Sequence, residues 1–300
     1  MIVSVSTSVS PSDSATSNIE RLTDPIAKPQ VTTIRASRGW VALRLRDLWD
    51  YRELLYFLVW RDLKVRYKQT ILGAAWAVLQ PLMTMLVFSA FFGRLAKVPS
   101  DGVPYPVFAY CALVPWQLFS NSLTEAANSL VNQQHLLKKV YFPRLIMPIS
   151  PLGAALMDFG VAFATLLALM AYYRIAPGLY LLVLPAFLLL ALTTALGAGL
   201  WLAALNVEYR DIRYTVPFMV QFWMFATPIA YPSSLVPENL RVLYGLNPMA
   251  GVVEGFRWAL LGTRSADLGM ICVSAVVSAV LLVSGLAYFR RLEKSFADLV

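Results

Sequence analysis

The sequence predicts an all-α polytopic membrane protein with six transmembrane helices, an N-terminal amphipathic interfacial helix, and short outer re-entrant helices between spans five and six. Three observations carry this reading. Hydrophobic residues make up 58% of the 300 residues and charged residues 14%, a balance foreign to soluble globular domains. Apolar runs recur at the length of a bilayer core: from Ile71 to Phe92 there is no charged side chain, and about 22 residues at about 1.5 Å each cross the hydrocarbon. Finally, Lys and Arg gather beside alternate ends of these runs, as the positive-inside rule requires.

Residues 1–38 are rich in Ser, Thr and Pro with little apolar periodicity, so a disordered cytoplasmic tail is expected there. The start MIVSVSTSVSPSDS has neither the basic region nor the apolar core of a signal peptide. Residues 39–70 form the interfacial segment. Tyr56, Trp60, Leu63 and Tyr67 fall at i, i+4, i+7 and i+11, one apolar and aromatic stripe of a helix, with Arg61, Lys64 and Lys68 on another face. Such a helix lies in the headgroup plane. Residues 71–292 make one six-span domain, with spans expected at about 71–93, 107–127, 145–173, 179–205, 214–230 and 268–289. Pro115 marks the second span as a place for a kink or re-entrant turn. Between the fifth and sixth spans, Pro232, Pro237, Pro248, Glu254, Arg257 and Arg264 interrupt short apolar runs, which predicts two short helices dipping in from one side. Residues 293–300 form a cytoplasmic C-terminus.

Loop charges set the orientation. Arg52, Arg61, Lys64, Arg66, Lys68, Lys138, Lys139, Arg144, Arg210, Arg213, Arg290, Arg291 and Lys294 lie on one side, against Arg94, Lys97, Arg174, Arg241, Arg257 and Arg264 on the other. Both termini are therefore expected in the cytoplasm. The formal net charge of +8 follows the spans rather than forming a separate basic domain, so nucleic acid is not the implied partner.

Several chemistries have no centre in the chain. No G-x-x-x-x-G-K-[ST] occurs, so ATP has no P-loop. There is no H-E-x-x-H, CxxC or G-x-S-x-G, and an enzyme is not expected. Cys111 and Cys272 lie in apolar stretches and read as small core residues, and His135 stands in a polar loop without other ligands. Asp158, deep in the third span, is the best group for ion coupling. Its structural reading is a hydrogen bond to backbone or to a Ser or Thr of a neighbouring helix.

The run RDLKVRYKQTILGAAWAVLQPL at 61–82 resembles the start of the membrane subunit of ABC exporters for polysaccharides, the O-antigen, capsule and teichoic acid permeases. Three further stretches carry the likeness: LLKKVYFPRLIMPIS at 136–150, LNVEYRDIRYTVPFMVQFWMFATPIAYP at 205–232 and LNPMAGVVEGFRWALLG at 246–262. The resemblance spans roughly residues 45–292. It implies a homodimer, two copies of a separate ABC ATPase that carries the ATP and Mg, a lipid-linked polysaccharide as cargo, and the bacterial inner membrane as location. This chain itself would carry no cofactor and no metal.

The resemblance also places roles on residues. The loop between spans two and three becomes an ATPase-coupling helix, with Gln133, His135, Lys138 and Lys139 as its polar positions; read from the residues alone it is a basic inner connection. Arg61, Lys64, Arg66, Lys68, Arg210 and Arg213 are the cations available to a lipid diphosphate, or to ordinary anionic lipid. Phe88, Phe119, Phe159, Phe163, Phe222, Trp223 and Phe225 sit at depths where aromatic rings can stack on sugar faces along a polymer path, or simply pack. Glu254 and Arg257, spaced i, i+3, can pair on one face of the outer gate helices. The competing classes are an ABC exporter of a drug or small lipid and, further off, an ion-coupled flippase or a membrane transferase.

Overall fold

In the computed structural model, residues 45–68, 73–139, 142–262 and 267–293 are described. The tail at 1–38, the first residues of the interfacial segment, Arg264 and Lys294 lie outside them. Among the described residues there are α-helices, short 3₁₀ turns and one π-helical stretch, and no strand.

The chain enters through α1 (Leu45–Asp50) and α2 (Arg52–Lys68), then α3 (Gly73–Phe88), which runs on as a π-helical segment over Ser89–Leu95. Next come α4 (Tyr105–Asn132), α5 (Gln134–Lys139) and α6 (Ile146–Tyr172). A 3₁₀ turn at Leu179–Val183 leads into α7 (Leu184–Glu208), followed by α8 (Ile212–Ala226), α9 (Glu238–Tyr244), α10 (Pro248–Leu261) and α11 (Leu268–Leu292).

Among the described residues, four stretches are long and apolar enough to cross a membrane: Ala75–Leu95, Ile146–Tyr172, Tyr180–Glu208 and Leu268–Leu292. They coincide with the first, third, fourth and sixth expected spans. The second expected span is a single helix of 28 residues, α4, which continues through Pro115. Its apolar character is diluted by Gln117, Ser120, Asn121 and Thr124. The fifth is only the 15 residues of α8, about 22 Å at the usual rise and shorter than the roughly 30 Å core.

α4 is the axis of the fold. α6, α7, α10, α3 and α8 all pack on it, and Phe108, Tyr110, Leu113, Phe119 and Leu123 on it are fully buried. This explains its sequence: a helix wrapped by protein needs little lipid-facing hydrophobicity, so its polar residues are tolerated where they face other helices. A second cluster gathers Leu58, Leu130, Ile146, Leu200 and Phe289 and ties α2 to one end of the bundle. At that end the Asn206 amide donates to the Ala127 carbonyl at 2.9 Å and to Asn128 at 3.1 Å, and Arg144 donates to the Glu293 carbonyl. At the opposite end the Tyr105 hydroxyl donates to the Ala230 carbonyl at 2.6 Å, and Gly178 N–H donates to the Leu260 carbonyl at 3.0 Å.

α7 and α11 approach at glycines. A Cβ built on Gly285 would stand 2.4 Å from the Gly197 carbonyl oxygen, and one on Gly197 would stand 2.6 Å from the Leu282 nitrogen. Backbone cannot yield there as a flexible side chain can. Gly285→Ala is therefore expected to lower stability by about 1–3 kcal/mol through overpacking, read as a fall in the melting temperature of the purified protein.

Candidate functional site

The site is built where α2 lies across α6 and α4. Leu58 is buried in this contact, and Val59 sits so close to Gly153 that a Cβ there would meet its methyl carbon at 2.8 Å. The stripe expected to anchor α2 in lipid divides accordingly. Tyr56 and Trp60 are exposed, whereas Leu63 and Tyr67 are half-buried because α2 rolls that edge onto the bundle. One step further along, the Arg66 guanidinium and the Tyr67 hydroxyl both donate to the carboxylate of Asp158, in the third expected span. Among the described residues, Asp158 thus takes neither a backbone group nor a Ser or Thr hydroxyl as partner. Glu125 of α4 stands 3.8 Å from the same guanidinium, so three elements meet at one cation.

Burial first, and the bond to Asp158 second, push the Tyr67 phenol up from 10.0 to about 12. A raised phenol pKa means that the stability it contributes is complete below pH 10 and lost as pH climbs through 12. Tyr67→Phe is expected to flatten that segment of the stability curve, measured by thermal melts on either side of pH 10 and up to pH 12.

Beneath this junction a cavity of about 550 Å³ opens between α3, α4 and α6. Its lining includes Arg66, Trp76, Gln80, Gln117, Asn121, Thr124, Glu125, Asp158 and Phe159. A neighbouring cleft runs past Arg61, Asp62, Val65, Arg66, Glu125, Ser129, Asn132 and Gln133. Reading the sequence for cations and aromatics finds Arg66 and Phe159 but misses the α4 residues. Gln117, Asn121, Thr124 and Glu125 fall at i, i+4, i+7 and i+8, a polar stripe in an otherwise apolar helix that periodicity would have found.

The expected diphosphate cations do not form one set. Arg61 donates to Asp62 at 2.8 Å, and Arg66 is held by Asp158. Lys64, Lys68, Arg210 and Arg213 are exposed. The last two flank Asp211 in the turn before α8, at the end of the bundle that also carries α5.

In α5, Leu136 and Leu137 pack toward the second cluster, while His135, Lys138 and Lys139 are exposed. Gln133 stands apart as the C-cap of α4, with its backbone N–H on the Ser129 carbonyl.

The aromatic set also divides. Phe88 and Phe119 are core residues, and Phe119 meets Trp223 edge-on at 4.9 Å. Trp223 Nε1 donates to Asn247 at 2.8 Å, which fixes it by packing and bonding. Phe159 and Phe163 stack on each other at 5.6 Å and are half-buried. Phe222 and Phe225 are exposed and continue a row with Tyr214 and Phe218 along the open face of α8.

Of the expected gate residues, Glu254 is half-buried and Arg257, on the same helix, is fully buried. Its guanidinium donates to the carbonyls of Pro228 at 2.6 Å, Ile229 at 2.7 Å and Tyr231 at 3.4 Å, with its carbon 3.6 Å from the centre of the Phe108 ring. The backbone leaving α8 offers carbonyls that helix hydrogen bonding cannot satisfy, and the buried cation takes them. Cys111 is buried as expected, but Cys272 lies exposed on α11. No group of three metal-ligating side chains occurs among the described residues.

The sequence model of the ABC-2 type transporter family matches residues 53–261, from α2 through the end of α10. The chain belongs to the ABC-2 type transporter family. It is similar to the O-antigen export system permease protein RfbA of Myxococcus xanthus, 33% identical over 257 residues, which cover 85% of this chain and 98% of that one. The protein of the same description from Klebsiella pneumoniae is 26% identical over 249 residues, 83% of this chain and 95% of its own. The polysialic acid transport protein KpsM of Escherichia coli is 26% identical over 242 residues, 78% and 92% of the two chains. This ABC-2 chain is thus a multi-pass membrane protein of the class to which its motifs pointed.

Proposed function

We propose that this chain is the permease subunit of an ABC exporter that translocates a lipid-linked, O-antigen-like polysaccharide across the bacterial inner membrane. The observation that carries the reading is the 33% identity to an O-antigen export permease over 98% of that protein's length. The ATP and Mg would be bound by a separate ATPase, two copies of which work with a homodimer of this chain. Two further helices complete the six spans, α4 enclosed by the other helices and α8 with one open face, and both termini face the cytoplasm.

The geometry supports this assignment at three places. α5 presents His135, Lys138 and Lys139 outward from a leucine-anchored base, a form suited to docking in a groove of the ATPase and passing its closure to the spans. The exposed Lys64, Lys68, Arg210 and Arg213 are the cations left to meet a lipid diphosphate, since Arg61 and Arg66 already hold carboxylates. The open row Tyr214, Phe218, Phe222 and Phe225 offers ring faces on which a sliding glycan can stack. Glu254 and Arg257 belong to the outer helices, where the buried arginine holds the segment following α8. Deleting the gene in its source cell is expected to trap long-chain polysaccharide inside on its lipid carrier, seen by fractionation and sugar-stained gels. Normal surface polysaccharide in a cell with no second permease would overturn the reading in favour of a drug or small-lipid exporter.

A further inference from the structure

The cavity under Arg66 has a composition that neither packing nor lipid explains. α4 is buried almost all round, and its open stripe carries Gln117, Asn121, Thr124 and Glu125. Gln80 of α3 lines the same space. No hydrogen bond joins the side-chain amides of Gln80, Gln117 or Asn121 to another described residue, although Asn128, one turn beyond Thr124, donates to the Thr124 carbonyl at 2.8 Å. Gln80 is exposed and Gln117 and Asn121 are half-buried, so the three carboxamides stand open on one cavity to water or to a ligand that both donates and accepts. An acyl chain does neither.

Charge narrows the partner further. One guanidinium, Arg66, faces two carboxylates, Asp158 and Glu125, so the lining carries excess negative charge and disfavours a phosphate. Trp76 and Phe159 add flat apolar faces to the same lining. Amides and carboxylates that bond hydroxyls, beside rings that cover C–H faces, are the chemistry of a sugar site, and the volume falls within the roughly 300–1,000 Å³ of ligand cavities.

We propose that this cavity is a binding subsite for a neutral sugar ring of the transported glycan, distinct from whatever cations hold its lipid phosphate. The proposal rests on the polysaccharide-permease reading. Asn121 and Gln117, one turn apart, bond ring hydroxyls from α4, Gln80 bonds them from α3, and Arg66 keeps the two carboxylates from repelling each other across the mouth.

The test uses the full chain in its own cell. The photocrosslinker p-benzoylphenylalanine is placed at Gln80, at Phe222 on the open face of α8, and at Val280 on the exposed face of α11, and adducts are stained for sugar after irradiation. A sugar-bearing ladder from Gln80 but not from Val280 is expected. In the Gln80 background, Gln117→Leu with Asn121→Leu is expected to cut the adduct yield about tenfold at equal protein level, the loss that follows when bonding groups of a polar site are removed. A ladder from Phe222 with none from Gln80, a sugar-free lipid adduct at Gln80, or a yield indifferent to the leucine pair would overturn the subsite while the permease reading stands. Absence of sugar adducts at both Gln80 and Phe222, together with surface polysaccharide unaffected by gene deletion, would overturn both.

Discussion

Asp158→Asn will loosen the hold of the bundle on α2, with a loss of about 2 kcal/mol in stability and a several-fold drop in surface polysaccharide. The magnitude lies below the roughly 3–5 kcal/mol of a fully buried broken pair because about a third of the Arg66 side chain remains exposed. The effect is still large for one substitution, since the carboxylate holds two donors at once, Arg66 and Tyr67, and asparagine keeps the shape while removing the charge. After the change, Glu125 still stands 3.8 Å from Arg66, so the guanidinium is expected to swing toward α4 and shift the contact rather than abolish it. Reversing the pair, Arg66→Asp with Asp158→Arg, is expected to recover part of the loss in a double-mutant cycle. Melting curves of the purified protein decide the matter: an asparagine variant as stable as the parent would show that α2 is held by its apolar contacts alone.

Arg257→Met is expected to be the most damaging single change at the end of the bundle opposite α2, costing about 4 kcal/mol and lowering the amount of folded protein. Methionine fills much of the volume but leaves the carbonyls of Pro228, Ile229 and Tyr231 without their donor in a site closed to water. It also removes the cation from the face of Phe108. Arg257→Lys should restore only part of this, because an ammonium is a point charge and cannot span two carbonyls as the planar fork does. Comparable melting temperatures for the lysine variant and the parent would show that charge, not the fork, is what the segment after α8 needs.

The contrast between these two residues shows how far the sequence can be read. Asp158 stands out as an acid in an apolar span, and the dense basic run through Arg66 stands out as a membrane boundary. Nothing in either stretch joins them, because they are 92 positions apart and their meeting depends on how α2 crosses α6. Arg257 and Glu254 show the same limit at shorter range. Their i, i+3 spacing predicts a local pair, and nothing in it signals that the guanidinium is buried and donates to the carbonyls of Pro228 and Ile229, which only packing decides.

Local pattern determined the membrane class, the all-helical fold, the four most apolar spans, the basic ends and the family motifs, since each is written in consecutive residues: hydropathy, charge and helical period act over one or two turns. Tertiary structure decided which helix lies at the centre, which aromatics are core and which are open, that Asp158 serves as a latch for α2, and that the amides of α3 and α4 face one cavity. These depend on contacts between distant segments, whose energies are set by mutual burial and orientation and leave no trace in the order of neighbouring residues.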